Sequence, residues 1–185
     1  MHPGLIVAIA AFVLLLFAFG MYNRLVRARN HCTEAWHNID TELKRRYDLI
    51  PNLVSCVKGY AKYEQEILEK VTRLRQECVA NNGSPESQAA SENKLVRALA
   101  GLLVRVERYP DLKASKNFLQ LQEELVNTED RIQAARRFYN GNVRENNNLV
   151  EMFPTNLIAR LGGFTRREFF EIADLRERSV PNASL

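Results

Sequence analysis

Eighteen consecutive residues, Leu5 to Tyr22, carry no charge, and Leu5, Ile6, Val7, Ile9, Phe12, Val13, Leu14, Leu15, Leu16, Phe17 and Phe19 fall among them. The run is close to the roughly 20 residues that a helix needs to cross about 30 Å of hydrocarbon. In lipid it has to be a helix, because every backbone N–H and C=O must find its partner within the segment. Leu5, Ile9, Phe12, Leu15 and Phe19 are the expected lipid-facing positions, with Tyr22 as an aromatic anchor at the boundary. A cleaved signal peptide would want a basic leader and a small-x-small site. The leader here is Met1-His2-Pro3-Gly4 and the run ends in Met21-Tyr22-Asn23-Arg24, so an uncleaved anchor is the expectation. Arg24, Arg27 and Arg29 crowd the C-terminal flank and would sit on anionic headgroups. By the positive-inside bias they place the remainder of the chain in the cytoplasm, N-terminus out and C-terminus in, with an extracytoplasmic domain as the alternative.

Of the 185 residues, about 160 remain, enough for one core without disulfides or metals. The net charge of +4, from 26 basic and 22 acidic residues, is too even for a nucleic-acid partner. Cys32, Cys56 and Cys78 cannot all pair; free, buried thiols suit a reducing compartment.

Beyond the anchor, apolar residues recur in steps of three and four. Ala28, Cys32, Ala35, Ile39 and Leu43 make a stripe over a first helix ending near Tyr47. Pro51 predicts a break, with Asp48 as N-cap of a second helix that runs to Ala80. Its seam is Leu53, Val57, Tyr60, Glu64, Ile67, Val71, Leu74 and Cys78. Asn81-Asn82-Gly83-Ser84-Pro85 is a loop. A third helix follows from Pro85 to Glu107 on Leu95, Leu99, Leu102 and Val106, and Tyr109-Pro110-Asp111 interrupts it. The fourth starts near Ser115. Phe118, Leu121, Leu125, Thr128, Ile132, Ala135, Tyr139, Asn142, Asn146, Leu149 and Phe153 keep one stripe over about 38 residues, roughly 57 Å. The expected fold is all-α: an N-terminal transmembrane helix over 1–23, an up-and-down antiparallel four-helix bundle with long helices over 24–154, and a short tail over 155–185.

That alternation brings the end of the fourth helix back toward the bilayer. Phe164, Phe169 and Phe170 in the tail, interleaved with Arg160, Arg166 and Arg167, therefore fit either a lipid interface or a protein contact. Gly162-Gly163 reads as a hinge.

No constellation for chemistry is present. HExxH, Glu-x-x-His, CxxC, a phosphate-binding glycine loop and a G-x-S-x-G nucleophile are all missing, so no metal, cofactor or catalytic residue is expected. The polar residues that stand out are Glu64 on the second seam, Glu107 and Glu129, for which Arg136 or Arg137 could supply buried partners, and the asparagine run that includes Asn140, Asn142, Asn146, Asn147 and Asn148. Glu64, Glu107, Glu129, Arg137, Asn140 and Asn147 read as a polar seam that sets helix register or meets a partner.

Several stretches recur together in one known family: Tyr22-Asn23-Arg24-Leu25-Val26, Leu43-Lys44-Arg45-Arg46-Tyr47-Asp48-Leu49-Ile50-Pro51-Asn52-Leu53-Val54, Glu107-Arg108-Tyr109-Pro110-Asp111-Leu112-Lys113, Ala135-Arg136-Arg137-Phe138-Tyr139-Asn140 and Phe153-Pro154. In these the chain resembles the LemA family of bacterial membrane-anchored proteins along nearly its whole length; Cys56 and Phe138 depart from the pattern. The resemblance implies an anchored helical bundle in the bacterial inner membrane without established catalytic activity. It also implies links to membrane organisation, including a branch tied to magnetosome formation, and a membrane metalloprotease or TPM-domain protein as neighbour. Two functions are therefore expected from different classes. One is a self-associating, non-enzymatic membrane scaffold or adaptor. The other is a tethered sensor holding a small polar ligand near Glu107, Arg137, Asn140 and Asn147.

Overall fold

The computed structural model describes residues 3–60 and 64–172, and among these it is all-helical, with no strand. Six helices follow in order: α1 (Pro3–Tyr60), α2 (Gln65–Ala80), α3 (Pro85–Val106), α4 (Pro110–Lys113), α5 (Lys116–Glu151) and α6 (Thr155–Leu161). Of the tail expected over 155–185, residues 173–185 lie outside the described residues.

The apolar run is the start of α1, which continues without interruption for 58 residues. It contains one stretch long and apolar enough to cross a membrane, and none of that stretch is buried against the rest of the chain. Its large side chains keep 51–69% of their surface open from Leu5 to Phe19. A core helix of a water-soluble protein would cover them. From Leu25 onward the same helix buries one face: Leu25, Ala28, Cys32, Ala35, Ile39, Leu43, Arg46, Ile50, Leu53 and Val57.

Two compact units divide the chain, and neither is a contiguous stretch. The first takes residues up to His37 and then Phe138–Arg167. In it Leu25 and Ala28 of α1 pack with Leu149 of α5, Ala159 of α6 and Phe164, while Trp36 meets Tyr139 edge to face at 5.2 Å. The Gly162-Gly163 pair expected to hinge is instead a helix cap. Phe164 N–H donates to the Ala159 carbonyl (2.9 Å) and Gly163 N–H to that of Arg160 (3.4 Å). Gly163 has φ +69°, as this capping geometry requires. A Cβ on Gly162 would stand 2.7 Å from the Phe164 ring, so glycine there lets the ring fold back over the cap. The expected seam of the fourth helix ends early: α5 stops at Glu151 and Phe153 is 77% exposed.

The second unit takes 38–137 and the tail from Glu168. One core draws on four longer helices and the short α4: Ile50, Leu53 and Val57 of α1, Ile67, Val71 and Leu74 of α2, Leu95, Leu99 and Leu102 of α3, Phe118 and Leu125 of α5, and Leu112 of α4. Ser84 caps α3 by accepting from Ser87 N–H, with Pro85 in the first turn. All three cysteines are free, Cys32 and Cys78 buried and Cys56 half-buried.

The break expected at Pro51 does not occur, and the second helix expected over 51–80 is two pieces. Residues 51–60 belong to α1, and α2 begins only at Gln65. Proline removes the N–H that would bond the Tyr47 carbonyl. The Nε of Arg75, from α2, donates to that carbonyl at 2.5 Å in its place. The ring of Pro51 points to solvent, and the buried stripe passes it in register. The unbroken three-and-four spacing through Glu64 hides the true discontinuity, because a stripe reads the same on one helix as on two successive ones that share a core.

Two substitutions test this substitute hydrogen bond. Arg75→Ala is expected to cost on the order of 1–2 kcal/mol in the native background. In Pro51→Ala, where residue 51 supplies its own N–H, the same change should cost distinctly less. Urea unfolding of the detergent-solubilised full chain measures both; equal costs would mean that Arg75 does not replace the missing N–H.

Candidate functional site

The polar side chains gather at three places. The first is the centre of the second unit. Between Leu43 and Ile50 the buried stripe of α1 is occupied by Arg46, which has no exposed surface. Its Nη1 donates to both carboxylate oxygens of Glu129 on α5, at 2.9 and 3.1 Å. Its Nη2 donates to Glu92 on α3, whose other oxygen accepts from the Tyr47 hydroxyl. Both carboxylates are buried. Burial disfavours the Arg46 charge, but Glu129 and Glu92 together outweigh it and hold the guanidinium protonated. Burial, then Glu92, raises the Tyr47 phenol, so it stays a donor. The Cys78 thiol is pushed up to about 12, first by burial and then by Glu92, and is no nucleophile at neutral pH. An arginine whose two Nη atoms are engaged by two carboxylates offers neither a free base nor a free acid. Its chemistry is that of a lock.

The second place is Glu64, just ahead of α2. Arg105 Nη1 donates to it at 2.7 Å, Arg108 Nη2 at 2.9 Å and the Tyr109 hydroxyl at 3.2 Å. The Arg105 hydrogen bond holds the Glu64 carboxyl below the usual range; burial opposes it, and Tyr109 and Arg108 reinforce it. The Tyr109-Pro110-Asp111-Leu112 stretch thereby has a structural use. Tyr109 reaches Glu64, Pro110 opens α4, and Leu112 is fully buried.

The third place lies in the first unit, where the asparagine run of α5 holds the tail. Asn147 grips one residue from both sides: its Oδ1 accepts from Arg167 N–H (2.8 Å) and its Nδ2 donates to the Arg167 carbonyl (2.9 Å). Asn146 Nδ2 donates to the Thr165 carbonyl at 3.4 Å and to Asn147 Oδ1 at 3.2 Å. Phe164 sits between the Tyr22 ring, 5.5 Å away edge to face, and the Arg29 guanidinium at 5.3 Å. Within the second unit the tail continues outside any helix, its Glu171 carbonyl accepting from Asn93 (3.0 Å) and its Ile172 carbonyl from Arg136 (2.6 Å). Phe170 is fully buried there, and Phe169 is 36% exposed.

The residues singled out from sequence fall in both units, Glu64, Glu107, Glu129 and Arg137 in the second and Asn140 and Asn147 in the first. Glu129 is buried and paired, but with Arg46 rather than with Arg136 or Arg137. Glu107 is exposed and pairs with Lys113. Arg137 is exposed and Asn140 half-buried. Arg24 and Arg27 are open to solvent, whereas Arg29 is engaged on Phe164. None of Glu107, Arg137, Asn140 or Asn147 lines the groove of about 550 Å³ between the end of α1 and α2, which is bordered by Val54, Lys58, Gln65, Leu68, Thr72 and Arg73. Sequence reasoning missed Arg46, Glu92 and Tyr47. For Arg46 the signal was position, since it continues the stripe from Leu43 to Ile50.

Two measurements test these contacts. Arg46→Ala leaves two buried carboxylates without a cation and is expected to lose on the order of 3–5 kcal/mol, read from the urea midpoint of the full chain in detergent. Glu64→Gln tests the second. A carboxyl whose native pKa is depressed stabilises fully above its unfolded value, near 4.5, and loses that contribution as pH falls through the native value. The stability gap between native chain and variant should therefore be widest at neutral pH and close as pH drops below about 4.5. A gap independent of pH would rule out the ion pairs as its source.

The model of the LemA family matches residues 35–184. Protein LemA of Metamycoplasma hominis is 28% identical, the alignment covering 90% of this chain and 76% of that protein. Magnetosome protein MamQ of Magnetospirillum gryphiswaldense is 26% identical over 80% of this chain and 64% of its own length. Magnetosome protein MamQ 2 of Paramagnetospirillum magneticum is 26% identical over 92% and 72%. The matched region takes in the Arg46 lock, the Glu64 clamp and the asparagine grip on the tail, and the chain belongs to the LemA family.

Proposed function

We propose that this chain is a single-pass membrane protein whose helical domain is a non-enzymatic scaffold or adaptor, associating with itself and organising or regulating other membrane proteins. The observation that carries this reading is the continuity of α1: one helix bears the open apolar run and, without interruption, the stripe buried in the folded domain. In this reading Leu5 to Tyr22 spans the bacterial inner membrane, Arg24 and Arg27 lie among cytoplasmic headgroups, and the four helices that share the second core act as an up-and-down antiparallel bundle. A signal sequence fits poorly, because removing it would cut within a helix that the domain uses. The polar centres support a structural role, since each buried carboxylate in them is engaged by cations or hydroxyl donors of the same unit. The names of the matching family and relatives denote no enzyme, and two of those relatives are magnetosome proteins. A membrane metalloprotease or TPM-domain protein is the partner class that the family resemblance suggests.

Two experiments test it. After carbonate washing the full chain is expected to stay in the membrane pellet; release into the supernatant would remove the anchor. Light scattering on the detergent-solubilised chain, corrected for bound detergent, should give a mass above that of the 21.3 kDa monomer. A strictly monomeric species would eliminate self-association.

A further inference from the structure

The first unit carries an apolar surface that its own core does not use. Past the end of α5, Met152 and Phe153 are 62% and 77% exposed, and on α6 Leu157 and Leu161 are 52% and 87% exposed. Leu157 and Leu161 are one helical turn apart, on the face opposite the buried Thr155 and Ala159, with Arg160 beside them. Single exposed apolar residues need no explanation, but four within ten residues, on a turn and one helix face, do.

Their level along α1 says what covers them. Trp36 of α1 touches Tyr139 of α5. Ten residues further along α5, Leu149 packs on Leu25 and Ala28, about ten residues back along α1. The two helices thus run antiparallel in step, and four more residues bring Phe153 to the level of about Tyr22, where the apolar run ends. Ala159 of α6 packs at the level of Leu25 and Ala28, roughly 5–9 Å beyond Tyr22 at 1.5 Å per residue. Phe164, which closes the α6 cap, rests on Tyr22 itself. The headgroup layer on each side of a bilayer is about 5–8 Å deep. With Leu5 to Tyr22 across the bilayer, the exposed Phe153, Leu157 and Leu161 would stand at the depth of that layer, and Arg160 and Arg24, open to solvent at the same level, would lie among anionic headgroups.

The geometry points to a second membrane contact: the α5–α6 turn and the outer face of α6 insert into the lipid interface beside the transmembrane helix, with Phe153, Leu157 and Leu161 at the boundary between headgroups and acyl chains. The occupant is lipid rather than a second copy because the patch is continuous in level with the apolar run and flanked by arginines. This rests on the reading of α1 as membrane-spanning. It assigns the interfacial role to residues other than Phe164 and Phe170, both of which are buried in the protein.

The test places the photoreactive residue benzoylphenylalanine singly at 12, 153, 157, 161 or 138 in the full chain, reconstituted in vesicles of phosphatidylcholine and phosphatidylglycerol. Circular dichroism of each variant checks the helical fold, and Leu161, the most open of the three, tolerates replacement best. After irradiation, mass spectrometry is expected to find lipid adducts at 12, 153, 157 and 161. Phe138, equally apolar and 59% exposed but about 15 residues further along the same pairing, is expected to give none. Adducts at 12 together with only protein cross-links, or none, at 153, 157 and 161 would overturn the interfacial contact and leave the anchor standing. Lipid adducts at 138 as abundant as at 161 would overturn it too. Absence of adducts at 12 would remove the spanning helix, and this inference with it.

Discussion

A guanidinium with no exposed surface is the constraint around which the second unit is arranged. Arg46 can be buried only if its charge is met where it lies, and Glu92 and Glu129 meet it from two other helices. Hydrogen bonds to a planar, charged group tolerate little sliding, so the three helices are held in one register at that level. Apolar packing above and below would accept a shift of a turn at modest cost. An unpaired carboxylate in the same place would not. The neighbours of Arg46 work to the same end: Tyr47 occupies the spare oxygen of Glu92, and Arg75 ties α2 to the carbonyl that Pro51 leaves without an N–H.

The stretch from Leu43 to Val54 is therefore dense in structural instruction. Leu43, Ile50 and Leu53 fill the core, Arg46 and Tyr47 supply the lock, and Pro51 frees a carbonyl for Arg75. The Glu64 clamp follows the same logic nearer the surface, and there the stretch beginning at Glu107 contributes Arg108 and Tyr109. In the first unit the device differs. A tail outside any helix has no backbone ladder of its own, and the Asn147 amide, using one N–H and its oxygen, satisfies both backbone groups of Arg167 as a neighbouring strand would. That explains asparagines in a helix where their intrinsic preference is poor.

Much of the architecture was legible beforehand. The long apolar N-terminal helix, the helical class, the bounds of α3 and α5 to within a few residues, and the buried faces of α1 and α5 follow from the run and spacing of apolar residues, because burial of one helix face is a local, periodic requirement. What failed did so for identifiable reasons. Pro51 reads as a break, yet an exposed ring on a helix whose freed carbonyl finds another donor breaks nothing. Phe153 continues the period of its stripe and is nonetheless exposed, since α5 ends two residues before it. Glu129 reads as an acid that Arg136 or Arg137 could pair, but its cation lies 83 residues away, beyond the reach of any spacing argument.

The sequence alone determined that this chain carries a membrane-length apolar helix and a set of amphipathic helices, because hydropathy and periodicity are properties of consecutive residues. It also determined the family, because the order of its short motifs is distinctive. Only the tertiary structure decided which charges are buried together, which asparagines hold the tail, and which aromatic residues of the C-terminal region face outward. Those outcomes depend on which helices are adjacent and at what level. Adjacency is a relation between distant parts of the chain that no local pattern encodes.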